Sequence, residues 1–108
     1  MGKVVEQGQV FVPQALVSYQ SGGIVSLQLT KNEAGNITLF AFDEGQGLSE
    51  HAAPFDAVVQ VLEGTAEVII DGESHHLSAQ EVIIMPAHIK HAIKANECFK
   101  MMLTMIKG

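Results

Sequence analysis

GQGLSEHAAPFDAVVQVLEG, residues 45–64, decides the fold of this chain. The stretch opens and closes on Gly, carries His51 near its start, and ends in an apolar, strand-like run. The sequence around it is punctuated like an all-β protein. Gly22-Gly23, Gly35-Asn36, Gly64 and Asp71-Gly72 separate short apolar or alternating segments. In IVSLQL (24–29), Val25, Leu27 and Leu29 share one face, whereas NITLFAF (36–42) is apolar on both. AVVQVLEG and TAEVII flank Gly64, and Asp71-Gly72 is a strong hairpin signal leading into ESHHLS. EVIIMP (81–86) is a strand stopped by Pro86, which cannot donate to a ladder. HAIKA (91–95) and FKMMLTMI (99–106) complete the pattern. Residues 12–20 (VPQALVSYQ) fit a turn of helix or a strand, and no segment keeps a helical apolar period over three turns. This many short strands predict a sandwich or barrel.

Composition narrows the function classes. The 108 residues make one domain, 1–108. Hydrophobic residues reach 47%, charged ones only 17%, and the mean hydropathy is +0.23. The net charge of -6 and six scattered lysines, with no Arg, exclude the clustered basic face that nucleic acid requires. They equally argue against an anionic membrane surface, and no apolar run is long enough to span a bilayer. The opening MGKVVEQGQVFVPQ lacks the apolar core of a secretory signal, and Glu6 stands where myristoylation wants Ser or Thr. Cys98 is alone, so no internal disulfide forms and a reducing, cytoplasmic location is expected. In the last strand Phe99, Met101, Leu103 and Met105 form one face, and Met102 and Ile106 lie on the other with Lys100 and Thr104. A strand apolar on both sides, in a chain this poor in charge, predicts a partner outside the barrel, hence a homodimer.

Two segments carry a family resemblance. In residues 45–64, Gly45 is followed after five residues by His51, then by Ala53, Ala57 and Gly64. In residues 80–95, Gln80 is followed after five residues by Pro86, then by His88, His91 and Ala95. Spacing and order resemble the two motifs of the cupin superfamily: Gly, His, His, Glu and Gly in the first, and Gly, Pro, Gly, His and Asn in the second. Ala53 stands at the second His, Ala57 at the Glu, Gln80 and His88 at the two glycines, and Ala95 at the Asn, with Asn96 one place on. The fifteen residues between Gly64 and Gln80 resemble the short spacer of small bacterial cupins. HAAPFDAVVQVLEG, IIMPAHIKHAIKA and FKMMLTMIK look like a group of small single-domain cupins of unassigned function. The resemblance implies an all-β jelly-roll barrel, the double-stranded β-helix. It also implies a metal site of three His and one carboxylate pointing into the barrel.

Only His51 and His91 of those four donors are present. Substitute ligands are few. Asp56 and Glu50 each neighbour an inward position and are expected to point away by strand alternation, and Gln60 is out of phase with Ala57. His88 is the candidate replacement ligand, although a turn residue belongs on the surface. His75 and His76 are ordinary strand residues, of which one alone can face inward. Met85, Met101, Met102 and Met105 raise copper, but methionine is first a flexible core filler. Cys98 follows Glu97, whose charge disfavours a thiolate, so it is structural.

Two alanines where charged donors are customary enlarge and dry the interior. The expected site is then a pocket walled by Ala53, Ala57 and Met85, with His51 and His91 as polar anchors for a small, partly apolar molecule. Without Arg there is no bidentate clamp for carboxylate or phosphate, which disfavours sugar-nucleotide isomerase chemistry. One divalent metal (nickel, zinc, iron or copper) on the two imidazoles is the accompanying cofactor expectation. A metal-dependent oxygenase or isomerase completed by a substitute ligand is the alternative.

Overall fold

A computed structural model describes residues 5–107. Part of the N-terminal expectation, at residues 1–4, lies outside the described residues. Among the described residues nine strands form: β1 (Ile24–Asn32), β2 (Gly35–Phe42), β3 (Gly47–His51), β4 (Asp56–Glu63), β5 (Thr65–Ile70), β6 (Glu73–Ser78), β7 (Val82–Met85), β8 (His91–Lys94) and β9 (Phe99–Ile106). They pair antiparallel in two sheets, β1-β2-β9-β4-β7 and β3-β8-β5-β6. The architecture is a two-sheet jelly roll. Residues 12–20 are neither a full helix nor a strand. Pro13–Ala15 make one 3-10 turn, because Pro13 presets its first residue and nothing sustains a longer helix.

The main core lies between the sheets. Phe42, Val59, Val61, Phe99 and Met101 come from the larger sheet and Ala66, Val68, Leu77 and Ile93 from the smaller. The rings of Phe42 and Phe99 stack with centroids 4.7 Å apart. β2, β4, β5, β7 and β9 contribute alternate residues to this layer, so the period of two in the sequence becomes one buried face.

The larger sheet is apolar on its outer face as well. Leu39, Ala41 and Leu62 are buried there with Val17, and Leu16, Val25, Leu27, Leu29 and Met102 pack around them. Much of the cover is the chain's own N-terminal segment. Lys100 holds that segment by donating to the Gln14 carbonyl (2.7 Å) and lying over the Tyr19 ring (5.1 Å). Tyr19 donates to Glu63 (2.6 Å). The outward Met102 therefore packs within the chain itself, and its apolar character does not require a partner. Val82, Ile84 and Ile106, outward on the same sheet, remain about half exposed.

Several motif positions have a backbone reason. The chain leaves one sheet for the other at Gly64, where φ is +78° and a Cβ would collide with the Cys98 carbonyl oxygen. Asp71 and Gly72 both have positive φ, as a two-residue type I′ hairpin demands. Gln80 (φ 76°) and His88 (φ 68°) occupy left-handed positions too, and these are the two places where the motif has Gly. Each carries side-chain strain that glycine avoids. Gln80→Gly is therefore expected to stabilise the fold by ~0.5–1 kcal/mol, the relieved left-handed strain less the added unfolded-state entropy. Gly64→Ala should cost about 3 kcal/mol or more, through strain and collision. Urea denaturation checks both, and a destabilised Gln80→Gly protein would contradict this account.

Candidate functional site

The site is built where β3 pairs with β8. Register runs Leu48↔Ile93 and then His51↔His91, so three residues of β3 oppose two of β8. A simple strand would send residues three apart to opposite faces. The bulge cancels that, and Leu48 and His51 both line the same interior cavity. It also brings His51 beside His91, with ring centroids 4.5 Å apart and planes at 69°.

Each ring is fixed by the main chain two residues before it. His51 Nδ1 lies 2.8 Å from the Ser49 carbonyl oxygen, and His91 Nδ1 lies 3.2 Å from that of Ile89. A carbonyl only accepts, so the neutral ring satisfying it carries its proton on Nδ1 and leaves Nε2 as a free lone pair. His51 stands at the exposed margin, while His91 is only 4% exposed. Burial holds the His91 imidazole below its ordinary value of 6.5; the Ile89 carbonyl opposes this, and the neighbouring His51 ring adds to it. His91 is neutral at pH 7.

The cavity has a volume of about 240 Å³ and an almost wholly apolar wall. Ala53, Ala57 and Met85, the residues expected around the two histidines, line it with them. Phe55, Ile93, Leu103 and Met105 complete the lining. Leu103 and Met105 were legible as the inward face of the last strand, without an indication of what they would face. Nothing in the sequence marks Phe55. A wider surface groove of about 570 Å³ runs along Gly45–Glu50 and Ala92–Asn96, but neither histidine contributes to it.

The substitute ligands do not assemble. Asp56 Oδ1 accepts from the Ala87 N–H (2.9 Å) and ties down the loop before β8. His88 lies exposed in that loop, its N–H donating to the Ala53 carbonyl (2.7 Å), and is not part of the cavity wall. His75 shares the inward side of β6 with Leu77 but lies on an edge strand beside Glu73, and His76 is exposed. Cys98 donates to Asp43 (3.2 Å), which raises its pKa and keeps it a thiol. Among the described residues no three His, Cys, Asp or Glu side chains come together around a metal-sized point. The four-donor divalent site implied by the motifs therefore does not fit this chain. Two imidazoles remain, and the alanines at positions 53 and 57 offer no lone pair.

The chain belongs to the cupin family, since the family model described as a cupin domain matches residues 38–107. Among solved structures it is similar to a conserved protein of unknown function from Streptococcus pyogenes. That match is 34% identical with a TM-score of 0.91, over 97% of this chain and 92% of the other. A cupin superfamily protein from Desulfitobacterium hafniense DCB-2 is 26% identical, with a TM-score of 0.90 over 98% and 97%. A cupin 2 conserved barrel domain protein from Leptotrichia buccalis is 37% identical, with a TM-score of 0.84. It covers 87% of this chain and 46% of its own. No protein of curated function matches the chain.

A buried neutral imidazole gives stability a signed pH dependence. His91 protonates less readily folded than unfolded, so the unfolded chain binds the extra proton first. Its contribution should be constant above about 6.5 and should fall as pH drops from there toward the depressed folded value. His91→Phe should flatten that part of the profile. Stability measured by denaturant titration between pH 7.5 and 5 checks this, and identical slopes in both proteins would contradict it.

Proposed function

We propose that this cupin binds a small, partly apolar molecule in its barrel, anchored by His51 and His91. The observation behind this is that both histidines line an apolar cavity, each with Nδ1 held by a backbone carbonyl so that Nε2 is left as the acceptor. Such a pair accepts hydrogen bonds and has nothing to donate. Its complement is a neutral group bearing O–H or N–H on an apolar body. At about 240 Å³ the cavity lies below the usual range for drug-sized ligands, so the molecule is small, on the scale of a single ring. The neutral state of His91 and the lack of Arg disfavour an anion.

The alternative, a metal-dependent oxygenase or isomerase, has less support. It needs a third and fourth donor, and Asp56 is tied to the Ala87 N–H while the exposed His88 does not line the cavity. The retained histidines still motivate it, and a nickel, zinc or iron ion found in equal proportion to the chain would favour it.

Phenol and benzoate separate these options, being alike in shape and unlike in charge and donor capacity. Phenol at a hundred times its dissociation constant should stabilise the metal-free protein by about 2.7 kcal/mol. Benzoate should do little, and His91→Ala should abolish the phenol effect. Thermal unfolding with each compound measures this. Equal protection by benzoate, or protection that survives His91→Ala, would overturn the reading.

A further inference from the structure

Ala57, at the position of the motif carboxylate, has methionine on both sides. It pairs with Met85 of β7 and with Met105 of β9. Met85 is 2% exposed, Met105 packs on the inner core, and both line the cavity with His51 and His91. Residues directly opposite across a sheet have Cβ atoms about 5 Å apart. Met85 and Met105 thus stand on either side of a single methyl group, with room above it for their unbranched side chains. The other strand methionines are placed differently. Met101 is fully buried in the core away from the cavity wall, and Met102 lies on the outer face.

The residues of the wall therefore include two histidines and two methionines, and no carboxylate. That set lacks the hard donors that magnesium, calcium or manganese take. Thioethers select soft ions, and among the common biological metals that ion is monovalent copper. The absence of a lining charge points the same way, because a single positive charge is less costly to bring into a dry site than a double one.

We propose that this cavity is a Cu(I) site, held by Nε2 of His51 and His91 and by the sulfurs of Met85 and Met105. The proposal rests on the reading of the cavity as the functional site and names a second occupant for it. Copper and phenol then exclude one another, since both require the same lone pairs.

The test uses the full chain with Cys98→Ser, which removes a competing thiol that does not line the cavity. Cu(I) is titrated without oxygen against a chromophoric Cu(I) chelator. One Cu(I) per chain is expected, with His91→Ala abolishing binding and Met85→Leu with Met105→Leu weakening it by about tenfold or more. Met101→Leu should leave it unchanged. X-ray absorption of the copper-loaded Cys98→Ser protein, which keeps every proposed ligand, should show both nitrogen and sulfur neighbours and covers the case in which the double variant does not fold. No stoichiometric Cu(I), an affinity indifferent to the two Met changes, or a spectrum without sulfur each overturns the proposal. Phenol protection in copper-free protein is measured separately. If it persists when copper binding fails, the copper site alone is lost.

Discussion

Two backbone carbonyl oxygens, those of Ser49 and Ile89, set the chemistry of this molecule. Each accepts a hydrogen bond from Nδ1 of a histidine two residues further on. Had the rings been free to choose a tautomer, the cavity would hold an undefined mixture of donors and acceptors. With Nδ1 committed, both Nε2 atoms are acceptors, and the site has a definite chemical sense. The β-bulge in β3 does the remaining work of position, turning His51 to the face that His91 already occupies.

The frame that holds these groups was largely legible in the sequence, because it depends on short-range rules. Alternation, the Asp71-Gly72 turn and the stop at Pro86 each reflect one local constraint, and the strands lie where those constraints put them. Gly64 was visible as a motif residue, and its reason is now steric: a side chain there would meet the Cys98 carbonyl. The approach of His51 to His91 was legible only through the spacing of the two motifs, since sequence alone cannot show that strands forty residues apart pair.

What stayed hidden depends on long-range packing. The bulge between Leu48 and His51 leaves no mark in the residue types. The placement of Met85 and Met105 on either side of Ala57 needs the strand order β9-β4-β7. The last strand shows the same limit from the other direction. Its two apolar faces suggested a partner, yet the cover over Met102 includes residues from the far end of the same chain. Apolar periodicity reports that a face is buried and does not report by what.

Alanine stands at positions 53 and 57, where the motifs carry donors, and His51 and His91 line a cavity whose wall is almost wholly apolar. The most direct measurement is the side-chain nitrogen spectrum of the histidines at pH 7.5, by NMR on isotope-labelled, metal-free protein. His51 and His91 should both appear neutral with the proton on Nδ1 and with Nε2 bare. A proton on Nε2 of His91, or a charged His91 ring at that pH, would contradict the account.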